Sequence, residues 1–180
     1  MRPVRVETPR LIIRSFTQSD IPAYAEIVSD PRVTRFLADG SPHSYREAEH
    51  YILDCIERDR SSGISRYAVT RKAEQDLIGF CGFKALPDYT DFGWRYAHRC
   101  WGQGIATEAA LRMLAYGLEE LRLANIAAGA YCENIASVAI IRKLGFTHIA
   151  HDRFYGKATI RYYQQGVTRA SNETPHLSRH

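Results

Sequence analysis

Long apolar runs are missing from this chain. Nowhere do about eighteen apolar residues follow one another, as a membrane-spanning helix would require, and the start Met1-Arg2-Pro3-Val4-Arg5 lacks the apolar stretch of a secretory signal. The expectation is a cytoplasmic protein with no membrane partner. Metal-ligand spacing is missing too. The four cysteines, Cys55, Cys81, Cys100 and Cys132, form no C-x-x-C pair, so neither a zinc site nor a redox motif is indicated and no metal is expected. Free thiols suit a reducing compartment, and Cys81 and Cys132 fall in strand-like runs where cysteine serves as a small buried hydrophobe. Charge of one sign is scarce: 24 basic residues are interspersed among 20 acidic ones for a net +4. With no concentrated basic stripe, nucleic acid is not an expected partner, although a mild positive excess suits an anionic cofactor.

What is present is enough for one domain. Of the 180 residues 45% are hydrophobic, which supports a substantial core. The body, residues 1–168, is expected to form that domain. Residues 169–180, with Ser171, Asn172, Glu173 and Pro175, have no periodicity and are expected to be a disordered tail.

Patterning along the body alternates between the two periods. Arg10 to Phe16 reads as a strand, and Thr17 to Asp20 as a capping box before a helix from Ile21 to Val28. A turn-rich connector from Asp30 to His43 leads to a second capping box, Ser44 with Glu47, and a helix to about Arg60. Strands are expected at Tyr67–Thr70, Leu77–Phe83 and Asp91–Ala97, joined by short polar turns that favour antiparallel pairing. Gly102 to about Arg122 repeats apolar residues at three and four and reads as a long amphipathic helix. Asn125–Tyr131 reads as a strand, Asn134–Leu144 as a short helix stopped by Gly145, and Thr147–Tyr155 with Ile160–Gln164 as a hairpin turning at Gly156. The fold class is α+β with a mostly antiparallel sheet.

Chemistry concentrates where Arg99-Cys100-Trp101-Gly102-Gln103-Gly104 opens the long helix after a strand. Backbone N–H groups there have no intrahelical partner, the helix dipole adds positive character, and the glycines leave room for a phosphate near the main chain. A plain structural turn is the competing reading. No Lys-Ser or Lys-Thr follows as in a P-loop, and Thr107 stands where G-x-G-x-x-G needs its third glycine, so nucleoside-triphosphate and dinucleotide chemistry are not supported.

About thirty residues further on, Glu133-Asn134-Ile135-Ala136-Ser137 runs toward Lys143-Leu144-Gly145-Phe146. The two blocks together resemble the GNAT family of N-acetyltransferases, matching its R/Q-x-x-G-x-G/A loop and its N-x-x-S…L-G-F segment. The run Trp101 to Ala109 and the opening Thr8 to Arg14 look like its ribosomal-protein-alanine (RimJ/RimL-like) branch. The resemblance covers residues 8 to 165. It implies a twisted sheet splayed between a fourth strand, residues 91 to 97, and a fifth, residues 125 to 131, with acetyl-CoA as co-substrate in the cleft. Arg99 and the backbone of Gly102, Gln103, Gly104, Ile105, Ala106 and Thr107 would hold the pyrophosphate. Tyr96 and Ala97 would pair with the pantetheine arm, and Asn134 would meet it from the other side or serve as a helix N-cap.

The reaction so implied is direct attack of an amine on the thioester, with acetyl passing to a protein N-terminus or a small-molecule amine. An acyl-CoA-binding regulatory protein without turnover is the alternative. A backbone N–H of the fourth strand would steady the oxyanion. Asp91 is the candidate proton acceptor, or else a solvated carboxylate at a strand start, with Glu108 and Glu133 behind it. Ser137 resembles the thiolate-protonating serine of that branch, or is an ordinary surface serine. Ile141 stands where many relatives carry a tyrosine, which turns the expectation from a tyrosine acid toward Ser137 or solvent. Phe36, Tyr45, Tyr89, Phe154 and Tyr155 fall in the segments that shape the family's acceptor pocket, or serve as core and rim packing. A monomer and a homodimer are both compatible with the sequence.

Overall fold

The computed structural model describes residues 3–154 and 157–164. Strands β1 (Arg5–Glu7) and β2 (Leu11–Arg14) lead through a single 3-10 turn at Gln18–Asp20 into α1 (Ile21–Ser29), α2 (Pro31–Thr34) and α3 (Tyr45–Ser62). There follow β3 (Arg66–Arg71), β4 (Leu77–Ala85), β5 (Thr90–Tyr96), α4 (Ile105–Glu119), β6 (Ile126–Tyr131), α5 (Ile135–Lys143), β7 (Phe146–Phe154) and β8 (Lys157–Gln164). Among the described residues these strands form one eight-stranded sheet in the order β1-β2-β3-β4-β5-β6-β8-β7.

Every neighbouring pair is antiparallel except β5 and β6, which run parallel and meet only at Thr90 with Ile126 and Asp91 with Ala127. The crossover through α4 imposes the parallel direction, and beyond those two pairs the strands part. This is the expected splay, carried by the expected segments. An additional strand, β1, which is too short to show alternation, makes them the fifth and sixth strands rather than the fourth and fifth.

Local signals explain most boundaries. Ser44 accepts from the Glu47 N–H at 3.3 Å while the Glu47 carboxylate takes the Ser44 N–H at 2.7 Å, so the capping box starts α3, and Gly63 in the left-handed region ends it. Two expectations shift. The connector from Asp30 holds a turn of helix, because Asp30 caps Arg32 and Pro31 occupies the first position. The long helix begins at Ile105 rather than Gly102, since Gly102 and Gly104 sit at φ +73° and +74°, outside right-handed helical space. The tail and the turn at Gly156 lie outside the described residues.

The sheet is covered on both faces. Successive side chains of a strand alternate, so on β4 Phe80 meets the rings of Tyr24 in α1 and Tyr51 in α3, at 6.3 and 5.6 Å, whereas Phe83 points the other way to α4. Helix α4 buries Ala109, Ala110, Met113, Leu114 and Gly117. Gly117 allows its close approach: a Cβ there would lie 2.4 Å from Cζ of Phe83, a fully buried ring stacked on Phe92 at 4.9 Å. None of the helices among the described residues is long and apolar enough to cross a membrane.

Gly117→Ala is therefore expected to destabilise the protein by about 1–3 kcal/mol through overpacking, against a propensity gain of about 1 kcal/mol that the same change brings to an exposed helix. Urea unfolding measures the balance, and a stabilised variant would show that the Phe83 ring yields freely.

Candidate functional site

Where β5 and β6 part, a cavity of about 530 Å³ opens between Trp94, Arg95 and Tyr96 on one side and Gly129, Ala130 and Tyr131 on the other. Gly102, Gly104 and the first turn of α4 line one part of it, α5 contributes Asn134, Ser137 and Lys143, and Val33, Phe36 and Leu37 at and just beyond α2 line another.

Register decides which backbone groups face this space. Ala97 N–H donates to Ile78 O at 2.9 Å, and β4–β5 pairs such as Phe80 with Arg95 continue the same register, so residues 91, 93, 95 and 97 turn their polar groups toward β4. Residues 92, 94 and 96 turn theirs toward the cleft. Tyr96 O accepts the Trp101 indole N–H at 2.9 Å, which leaves the N–H groups of Trp94 and Tyr96 and the Trp94 carbonyl on the open edge. Ala97 does not belong there, since its carbonyl also accepts from Cys100 N–H at 2.9 Å.

At the start of α4 the first helical bond runs from Glu108 N–H to Gly104 O at 3.0 Å. The N–H groups of Ile105, Ala106 and Thr107 precede that ladder and meet the positive end of the helix dipole. Space above the loop is open, with nothing within 4 Å of a Cβ built on Gly102. The loop is also fastened from behind. Glu108 takes hydrogen bonds from the Thr8 hydroxyl and Arg10 Nε, both at 2.6 Å, and Arg10 Nη1 reaches Gln103 O at 3.0 Å. Burial works against this carboxylate, but the bonds from Thr8 and Arg10 outweigh it and hold its pKa below the ordinary value. Glu108 is thus neutralised and structural, not a proton acceptor on offer.

The expected site residues divide. Tyr96, Gly102, Gly104, Ile105, Ala106, Thr107, Asn134, Ser137 and Phe36 line the cavity. Arg99 does not: its guanidinium donates to Asp76 at 2.7 Å. Gln103 turns its side chain to Arg99 O and Arg71. Tyr45 is 56% exposed at the start of α3, and Tyr89 sits in the β4–β5 turn, both away from the cavity. Tyr155 and the side chain of Phe154 lie outside the described residues.

Asp91 is also kept out of the cavity. Its carboxylate pairs with Arg66 of β3, a side chain only 10% exposed that crosses the sheet along the lane left by Gly93 and also donates to Gly82 O and Asp91 O. Removing it would strand a buried guanidinium, so its position serves the fold of β5. Asn134 does cap α5, accepting from Ser137 N–H at 3.2 Å, and its amide nitrogen remains for a ligand. Trp94, Arg95, Trp101, Tyr131 and Lys143 also line the cavity, although none was among the expected site residues. Among the described residues no group of three or more His, Cys, Asp or Glu could hold a metal.

Comparison with known proteins agrees with this geometry. The family model described as an acetyltransferase (GNAT) domain matches residues 10–147. The uncharacterized N-acetyltransferase YoaA of Bacillus subtilis (strain 168) is 29% identical over 144 residues, 78% of this chain and 81% of that protein. Among solved structures, a GNAT-family acetyltransferase from Bacillus anthracis superposes with a TM-score of 0.76 at 22% identity, covering 89% of this chain and 97% of that one. RimL, a ribosomal L7/L12 alpha-N-protein acetyltransferase in complex with coenzyme A, superposes at 0.78 with 16% identity, covering 89% and 97%.

Glu108→Gln is expected to cost about 1–2 kcal/mol at neutral pH by removing charge-assisted bonds. Because the folded-state pKa lies below 4.5, this contribution is present above that value and fades as pH falls through the lowered one. Thermal unfolding of both forms from pH 7 to pH 3 checks it: a difference that stays constant would show that the ion pair is not its source.

Proposed function

The chain belongs to the GNAT acetyltransferase family, and from that premise we propose that it transfers the acetyl group of acetyl-CoA to a primary amine by direct attack within a ternary complex. The observation that carries the reading is the cleft itself: unpaired β5 backbone on one wall and the free N–H groups of a 15-residue helix at its end. These features fit the donor. The N–H groups of Ile105, Ala106 and Thr107 suit a pyrophosphate, and the open edge at Trp94 and Tyr96 suits the amides of a pantetheine arm.

Bound acetyl-CoA supplies an activated acyl carbonyl and a thiolate leaving group. The chain's part is to hold, orient and exclude. Cleft-facing N–H groups at Trp94 and Tyr96 are preorganised donors for an oxygen that gains charge, in a cavity that Phe36, Leu37 and Trp94 line with apolar surface. Ser137 Oγ, on the α5 wall and with no partner among the described residues, donates the proton to sulfur. Since Asp91 is engaged by Arg66 and no described carboxylate lines the cavity, the ammonium proton of the acceptor leaves to water rather than to Asp91. The acceptor class is a protein N-terminus or a small amine.

Saturating acetyl-CoA should raise Tm by about 5–10 °C at one hundred times Kd, and Gly104→Val, which forces a branched side chain to φ +74°, should abolish that rise. A variant that keeps the full shift would remove the loop from the donor site. In steady-state assays of CoA release, Ser137→Ala should lower kcat about tenfold, since a thiolate needs less help than a stronger base. Asp91→Asn should instead lower Tm by several degrees while kcat of the folded enzyme holds; a selective loss of kcat would restore Asp91 as the proton acceptor.

A further inference from the structure

Three arginines reach into the packing between the sheet and its helices, and two of them find a carboxylate. Arg14 Nη2 pairs with Asp20 at 2.7 Å and Arg66 pairs with Asp91. Arg95 does not. Its guanidinium lies against the rings of Tyr51 and Phe80, at 5.6 and 5.3 Å, and Nη1 donates to the Tyr24 hydroxyl at 2.6 Å. Its Nε is buried without an acceptor, and no ion pair reaches it among the described residues.

Among the described residues, the side chains in direct contact with Arg95 carry no negative charge. Burial raises the pKa of Tyr24 and pushes that of Tyr51 up to about 12, so both phenols stay neutral. Burial and then Arg95 itself hold His43 below its ordinary value. Arg95 and Lys143 are the charged side chains on the cavity wall. A guanidinium half-buried against aromatic rings, with its Nε wholly buried and unbonded, still lacks a counter-ion among the described residues, and cation–π contacts offset only part of its desolvation.

Arg95 shares the cavity lining with Val33, Phe36 and Leu37. Their segment is tied to β6 by the Tyr131 hydroxyl on Ala38 O at 2.7 Å and to the final hairpin by Lys157 Nζ on Arg35 O at 3.4 Å. Fastened at two points, that segment limits the room beside Arg95 and favours a compact acceptor. We propose that Arg95 receives the carboxylate of the acceptor, so that the amine acetylated is a small amino-carboxylate, and that Arg95 sets this specificity. The proposal rests on the acetyltransfer reading above and narrows its acceptor.

The test follows CoA thiol release by the full chain with α-amino acids, their amides, the decarboxylated amines, aminoethyl phosphate and short neutral peptides. At least one amino acid should exceed its own amide in kcat/KM by about tenfold or more, as a planar, two-point guanidinium–carboxylate contact allows. R95Q should bring that ratio toward one, chiefly through KM, while the acetyl-CoA-induced rise in Tm is kept; R95K, which retains the charge without the fork, should keep part of the preference. If R95Q fails to fold, R95K reads the same ratio. Amides, peptides or the phosphate used as well as the acids, or a preference unchanged in R95Q or R95K, would overturn the proposal and leave acetyl transfer standing. CoA binding with no release to any amine would overturn both.

Discussion

Two residue pairs join β5 to β6, and the site depends on their being only two. A strand edge inside a protein must be satisfied or left facing something polar. Past Asp91 and Ala127 the edge of β5 has no neighbouring strand, and the main-chain groups of Trp94 and the N–H of Tyr96 are presented to a cavity instead. Helix α4 follows β5 and returns the chain to β6. The same helix brings unbonded N–H groups to the gap between them. Gly117 against Phe83 fixes how closely α4 lies, and the Thr8, Arg10 and Glu108 cluster fixes where its first turn stands.

Charge is distributed with the same economy. Glu108 next to a site for anions would repel them were it not neutralised by Arg10, and Asp91 close to the parting of the strands is neutralised by Arg66. What remains uncompensated on the cavity wall is positive: the helix start, Lys143 and Arg95. Beside the cleft these two acids are balanced within the fold, while Arg95 and Lys143 carry no ion pair among the described residues.

How much of this the sequence could show follows from the distance over which each signal acts. The glycine loop was legible because its need for positive φ and its neighbours lie within six residues, and Asn134 with Ser137 because one helical turn links cap and partner. Arg66 and Asp91 are 25 positions apart and meet only because β3, β4 and β5 fall into register, so Asp91 read as an unengaged acid. Arg99 read as a ligand for phosphate because its proximity to the loop was visible while Asp76, 23 positions back, was not. For β5, alternation identified a strand. Which residues turn their backbone outward depends on a register with β4 that no local pattern encodes: it sends the alternate residues Trp94 and Tyr96 to the open edge and turns Ala97 to β4.

That register has a second consequence, because the pleat couples side chains to backbone edges. Phe92, Trp94 and Tyr96 share one face of β5: Phe92 stacks with Phe83 and contacts Trp94, on the side covered by α4. Asp91, Gly93 and Arg95 share the other, where Arg66 and Arg95 both lie over Phe80 beneath α1 and α3. On the reading proposed above, one strand separates the helix that would hold the donor from the arginine that would meet the acceptor, while its free edge lies between them. A thioester held along that edge would be within reach from both faces, and an amine whose carboxylate is fixed at Arg95 would approach from the side opposite α4. Shifting β5 by one residue would turn Arg95 toward α4 and close the edge at Trp94, so both proposed sites and the N–H donors between them depend on a single register.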